Sequence, residues 1–147
     1  MATQQGYSGT PLPKKLGLKD GQRVLFLNLP NEQSELSEAC QFQNLVLGNW
    51  NKLAKLEKGF DVIHGFTTSH AEMKKNLERL QSLIAPDGMI WISWPKKASK
   101  VETDITEDVV RAEALSLDLV DIKVCAVDGI WSGLKLVIRK ERRHLHG

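Results

Sequence analysis

The chain has 147 residues, of which 41% are hydrophobic and 26% charged, and its formal net charge is +2. That length predicts one domain, able to bury roughly 68–70% of its unfolded surface with no need of a disulfide or metal. Charge so near balance gives no bulk drive toward nucleic acid or an anionic membrane, and no apolar run approaches the roughly 18–20 residues that span a bilayer.

The two cysteines, Cys40 and Cys125, stand far apart with no Cys-x-x-Cys or Cys/His ligand spacing, as expected of free thiols in a reducing cytosol. Residues 1–9 are polar and glycine-rich, which predicts a flexible arm and does not match a secretory signal. A single α/β domain is expected over 10–140, followed by a basic tail over 141–147. The whole is expected to be cytoplasmic.

Thr10-Pro11 is a helix start, with a hydroxyl cap and a proline at the first helical position. Gly17 closes that short helix, and Leu12 and Leu16 give it one apolar edge. Asp20-Gly21 predicts a turn into a strand over 23–28, whose continuous apolar run suits burial on both faces of a parallel sheet. Asn31 to Cys40 is acidic and predicts a helix, and Gln41 to Leu47 a second, shorter strand. A helix is predicted over 49–57, with Trp50, Leu53 and Leu56 on one side and Gly59 as its stop.

Asp61 to Phe66 is the third strand. Ser69 and Glu72 then form a capping-box pattern, and Met73, Leu77, Leu80 and Ile84 make the apolar stripe of an amphipathic helix. Ala85-Pro86-Asp87-Gly88 turns into the central strand, Asp87 to Lys97, around which the sheet is organised. Trp91 and Trp94 differ by three there and so point to opposite faces. After a polar loop, Thr106 caps a helix with Glu107 and Asp108 in its first turn. Leu119 to Val127 and Gly133 to Arg139 are joined by too few residues for a parallel crossover and predict an antiparallel hairpin. The tail from Lys140 is expected to fray.

Strand–helix alternation predicts a three-layer, Rossmann-like α/β/α fold whose mostly parallel sheet ends in that hairpin. Ala85-Pro86-Asp87-Gly88-Met89-Ile90-Trp91 and the terminal hairpin resemble the corresponding parts of S-adenosylmethionine-dependent methyltransferases, in a trimmed form. Four stretches, Gly6 to Leu12, Trp94-Pro95-Lys96-Lys97, Thr106 to Val109 and Trp131 to Leu134, look like the bacterial domain-of-unknown-function family 3052. The resemblance implies a methyltransferase-like fold and a bacterial cytosolic origin, and it implies no catalytic residue.

Ligands of open α/β sheets bind outside the carboxyl ends of the strands. The residues placed there by the predicted elements include Asn28, Thr67, Lys96, Lys97, Ser99, Thr103 and Thr106. The methyltransferase resemblance implies a glycine-rich loop after the first strand and an acid at the end of the second. Here Asn28-Leu29-Pro30-Asn31-Glu32 has no glycine, its proline removes a donor, and Asn44 to Trp50 holds no acid. No cofactor is therefore expected. Dinucleotide and P-loop signatures are absent from the sequence too, as are a nucleophile elbow and zinc-ligand spacing among His64, His70, His144 and His146.

The leading expectation is a non-catalytic methyltransferase-like binding or interaction module. Trp94 and Trp131 are its candidate contact residues, and its partner is a protein or a small anionic ligand. A divergent enzyme or small-ligand binder is the alternative, with an anion site made by Lys96, Lys97 and the helix N-terminus at Thr106. A second alternative is weak nucleic-acid binding through the basic tail.

Overall fold

The computed structural model describes residues 10–147, so the expected arm over 1–9 lies outside the described residues. Six strands form one sheet in the order β2-β1-β3-β4-β6-β5. They are β1 (Arg23–Leu27), β2 (Asn44–Gly48), β3 (Phe60–Phe66), β4 (Ile84–Pro95), β5 (Leu119–Ala126) and β6 (Trp131–Ile138). The first four run parallel, and β6 lies antiparallel to both β4 and β5. The chain has the expected Rossmann-like α/β architecture. The hairpin is folded inward: β6 inserts beside β4 and leaves β5 at the edge.

Strands β1, β3 and β4 are mostly apolar and buried because both of their faces are covered. On one face lie α2 (His70–Leu83) and α3 (Glu107–Leu115), packed through Met73, Leu77, Leu80, Val110 and Ala114 onto Leu25, Ile63, Ile90, Ile92 and Leu134. On the other, α1 (Leu12–Lys15) and a 3-10 stretch, Asn31–Glu38, bring Leu16 and Leu36 over Val24, Phe26, Val62 and Trp91. Trp91 and Trp94 fall in opposite clusters, as their spacing requires. The indole N–H of Trp91 donates to the Leu16 carbonyl at 2.9 Å, tying α1 to the centre of the sheet.

Two of the three expected helix caps form; the first helix instead begins at Leu12 with Pro11, not Thr10, at its N-cap and no side-chain cap bond. Ser69 Oγ accepts from the Glu72 N–H at 3.1 Å, and Thr106 Oγ1 from the Val109 N–H at 3.2 Å. Ile84, however, is the first residue of β4 rather than the last of α2. It pairs with Phe60, while Met89 pairs with Val62, so residues 85–88 are a bulge inside one long strand. Gly88 is needed in that bulge, since a Cβ there would lie 2.9 Å from the Asp61 carbonyl and 3.0 Å from that of Phe60.

The helix expected over 49–57 does not form; the segment is a series of turns. Its apolar spacing is real, with Trp50 and Leu53 buried, but turns present i and i+3 together as well as a helix does. Its carbonyls find an outside donor instead. The Arg79 guanidinium of α2 donates to Leu53, Ala54 and Leu56. The acidic stretch after β1 is 3-10 rather than α-helical, with non-helical backbone at Gln33.

The C-terminal end does not fray. Residues Lys140–Leu145 form a 3-10 turn held by Asp118, whose two carboxylate oxygens accept from Arg142 Nε at 3.0 Å and His146 Nε2 at 2.9 Å. Those bonds, His146 first, hold the Asp118 carboxyl below its ordinary range. Arg139 adds bonds to the Leu115 and Leu117 carbonyls at the end of α3.

One buried polar pair sits in the core. His64 Nε2 meets Ser93 Oγ at 2.7 Å, with Phe66 stacked on the imidazole at 4.2 Å between centroids. Full burial lowers the His64 pKa to about 3 from its ordinary 6.5, so the ring is neutral in the fold. Below pH 6.5 the unfolded chain takes up a proton that the native chain refuses, so stability falls as pH drops through the window from 6.5 toward 3. The loss should reach up to about 1.4 kcal/mol per pH unit. Chemical denaturation across that window should show His64→Gln with a shallower pH dependence than the wild type, by close to one proton.

Candidate functional site

The chain leaves β1 outward to β2 and returns past β1 to β3, so the strand order reverses at β1. Such a reversal of strand order opens a crevice in every open α/β sheet. Here the crevice has a volume of about 310 Å³ and is lined by Asn28, Asn49, Trp50, Asn51, Lys52 and Glu72. A larger, shallower groove of about 730 Å³ continues from it between residues 50–54 and α2, toward Arg79.

Each wall follows from local structure. Asn28, the residue after β1, has φ 55°, a left-handed conformation that asparagine tolerates better than most side chains. Its backbone N–H donates to the Gly48 carbonyl at 3.0 Å, holding the exits of β1 and β2 together. Just beyond Gly48, Trp50 folds back over the sheet. Its indole N–H donates to the Phe66 carbonyl at 2.8 Å, and its ring lies on Gly65 so closely that a Cβ there would clash with Cζ2 and Cη2 of the indole.

Glu72 forms the opposite wall from the first turn of α2. Thr67, buried at the end of β3, donates its hydroxyl to Glu72 Oε1 at 2.6 Å and accepts from the Ser69 N–H at 3.1 Å. The capping box is thus a relay. Ser69 caps the helix, but the glutamate is held by Thr67 and stands at the crevice. The side-chain amides of Asn28, Asn49 and Asn51 bond to nothing among the described residues.

The residues expected at the strand ends are only partly gathered. Asn28 and Thr67 flank the crevice, Asn28 directly and Thr67 through Glu72. Lys96 donates its backbone N–H to Ile130, Ser99 Oγ donates to the Lys96 carbonyl at 2.7 Å, and Lys97 is exposed. Thr103 Oγ1 donates to the Thr68 carbonyl at 2.7 Å, pinning the loop before α3 to the loop before α2.

At each of those two helix starts the chain itself supplies an acceptor for one backbone N–H. Asp104 accepts from the His70 N–H at 2.7 Å, and the Thr106 hydroxyl caps α3. Glu107 and Asp108 in α3 turn to Arg111, whose guanidinium is also bound to Asp121 at 2.9 Å and is held more firmly charged by those bonds.

Trp94 does not offer a contact surface. At 6% exposure it is packed with Ile105 and Val110 in the core beneath α2 and α3. Trp131 is half-buried, opens β6 rather than standing in the turn, and meets Phe66 edge-on at 5.3 Å. Its Nε1 is buried without a hydrogen-bond partner. His70 bonds Glu113 at 2.8 Å and His64 is the core pair above; among the described residues no three His, Cys, Asp or Glu side chains cluster to hold a metal. Cys40 and Cys125 are both free thiols. No helix among the described residues is long and apolar enough to cross a membrane.

Sequence reasoning placed Asn28 and Thr67 but passed over Trp50, Asn49, Asn51 and Glu72. The signal for Glu72 was present in the capping box. The signal for Trp50 was hidden by a helix-like spacing.

Among solved structures the chain is similar to a SAM-dependent methyltransferase from Aquifex aeolicus, at 21% identity and TM-score 0.60 over 85% of this chain and 86% of that one. It is similar also to a SAM-dependent methyltransferase from Bacteroides fragilis in complex with S-adenosyl-L-homocysteine, at 11% identity and TM-score 0.59 over 89% and 78% of the two chains. The magnesium protoporphyrin IX methyltransferase of Synechocystis with bound SAH gives 11% identity and TM-score 0.59 over 81% and 74%. No protein-family model and no curated protein matches the chain. The fold is therefore methyltransferase-like, at identities that speak for the fold alone.

The crevice itself fits the methyl-donor cofactor poorly. A side chain follows β1 where backbone would have to approach the ligand, and Pro30 removes a donor from that loop. The exit of β2 carries Gly48, Asn49 and Trp50 with no acid, and the indole occupies the floor at Gly65. Among the described residues lining the crevice the one carboxylate, Glu72, comes from α2 and is already engaged by Thr67.

The Trp50–Gly65 contact is open to test. Gly65→Ala should destabilise by about 1–3 kcal/mol through overpacking and move tryptophan emission toward longer wavelength as the indole is lifted off the sheet. Gly48→Ala, whose added methyl would meet only ordinary contacts at 3.6–4.0 Å, should stay within about 0.5 kcal/mol of the wild type.

Proposed function

We propose that this chain is a methyltransferase-like scaffold used for binding rather than for methyl transfer. One observation carries the reading: at the switch-point crevice, where the fold would hold its cofactor, Trp50 lies on Gly65 and the β1 exit is Asn-Leu-Pro-Asn. Cofactor chemistry requires above all that the protein hold the cofactor. A cytosolic bacterial role, as the resemblance to family 3052 implies, is part of the same proposal.

A thermal-melt series with S-adenosylmethionine and S-adenosylhomocysteine tests it. A ligand at 100 times its dissociation constant adds about 2.7 kcal/mol of stability. Neither compound should shift the midpoint, and labelled methyl donor should transfer nothing to cell-extract components. A clear shift or any transfer dependent on Glu72 would overturn the proposal.

The free amides of Asn28, Asn49 and Asn51 beside Lys52 and Glu72 favour a second reading, in which the crevice takes a small polar ligand. Hydroxylated or amide-bearing compounds would suit this set of donors and acceptors. A stabilising hit from a metabolite panel should lose its shift in an Asn49→Ala, Asn51→Ala double variant. A hit that survives this change but disappears with Lys96→Ala and Lys97→Ala would return the site to the paired lysines.

A further inference from the structure

Strand β5 is one of the two outer strands of the sheet, so one side of its backbone has no strand partner among the described residues. It also carries a local charge imbalance. Lys123 stands directly opposite Lys135 of β6, which in turn stands opposite Trp91 of β4. Like charges opposed across a strand pair are destabilising.

The register explains why no carboxylate relieves them. In a regular strand Asp121 and Lys123 would share a face. A bulge between them places Asp121 opposite Leu136, toward α3 and Arg111, and Lys123 opposite Lys135 on the α1 face. Lys123 Nζ reaches back to the Lys15 carbonyl at 3.5 Å, which brings the α1 end of the chain to the patch, with Lys19 close enough to act on Lys135. Among the described residues Lys19, Lys123 and Lys135 form no salt bridge. Burial and then the charges of Lys123 and Lys19 push the Lys135 pKa down, the direction that an uncompensated cluster gives. The same strand exposes two large apolar side chains, Ile122 at 55% and Val124 at 47%.

We propose that the β5 edge is a docking site for an extended acidic peptide segment of a partner protein. The segment adds a strand beside Asp121–Ala126, sets carboxylates against Lys123, Lys135 and Lys19, and covers Val124 with an apolar side chain on its alternate face. Backbone pairing supplies affinity and the alternating side chains supply selection. Charge decides the occupant. A second copy would bring another lysine-bearing strand to the patch, and lysine on an edge strand is a known deterrent to self-pairing. An acidic strand meets no such barrier. This surface is separate from the crevice, so it stands whether or not the crevice holds a ligand.

The test uses the full chain and a labelled peptide of about ten alternating Glu and Val residues. It should bind, weaken at least about tenfold in a Lys123→Glu, Lys135→Gln variant, and weaken steeply with added salt. The same peptide methylated on alternate backbone nitrogens should lose binding to a similar extent, because it can no longer pair with the edge. A Lys-Val peptide should not bind. Thermal melts of the variant establish that it is folded, and Lys123→Glu alone, at an exposed position, provides a second readout if the double variant is not. The proposal is overturned if the peptide does not bind, if the variants or N-methylation leave binding unchanged, or if a uridine oligonucleotide binds the lysines more tightly than the peptide does.

Discussion

The geometry at the carboxyl end of the sheet depends on one contact, the indole of Trp50 lying on Gly65 with its N–H on the Phe66 carbonyl. The bond satisfies a backbone acceptor at the exit of β3, and the ring closes the core over Leu25 and Leu27. Because the ring comes from the segment after β2, the same contact sets the path of residues 49–57 and the position of their carbonyls against Arg79. The crevice is what remains above the ring. Its polar lining is a consequence of where the anchored segment leaves Asn49 and Asn51.

A parallel sheet needs cover on two faces, and this chain supplies it unequally. Two amphipathic helices, α2 and α3, close one face with long apolar stripes. The other is closed by four residues of α1, a 3-10 stretch and large side chains from the sheet itself, among them Trp91, Phe26 and Phe66. The thin side is also where polar groups enter the interior. His64 and Ser93 satisfy each other there, and the price of that arrangement is a histidine whose protonation burial disfavours. General-base chemistry at neutral pH is therefore not open to His64: it has no solvent access, and its nitrogen is engaged by the serine.

Much of this fold was legible from residues whose chemistry is local. Ser69 and Thr106 mark helix starts because their hydroxyls can reach an N–H three residues on. The three-residue spacing of Trp91 and Trp94 fixes their faces because a strand alternates. What escaped sequence reading depends on partners distant in the chain. Arg79 is 25 residues from Ala54, whose carbonyl it binds, and no periodicity within 49–57 could announce that the segment's acceptors would be met from outside. The end of the chain looked free for a similar reason, since Asp118, which pins Arg142 and His146, lies well upstream. The site was half visible. A rule about strand ends finds Asn28 and Thr67, but not Glu72, whose carboxylate is held at the crevice by the Thr67 hydroxyl.

The two ends of the sheet show how a single inserted residue alters what a surface can do. At β2 the outer strand is uncharged, Asn-Leu-Val-Leu-Gly, and exposes Leu47 at 61%. At β5 the bulge at Ile122 separates Asp121 from Lys123 and sends each to a different face. Without it, the aspartate and the lysine would lie two residues apart on one face, close enough to neutralise each other. With it, the aspartate joins Arg111 in a network that fastens α3 to the sheet, and the lysine faces Lys135 with no carboxylate between. The bulge therefore converts an internally balanced strand into one face that is electrostatically closed and one that is open to an external anion. That division arises from backbone register alone, and it leaves the net charge of the chain unchanged at +2.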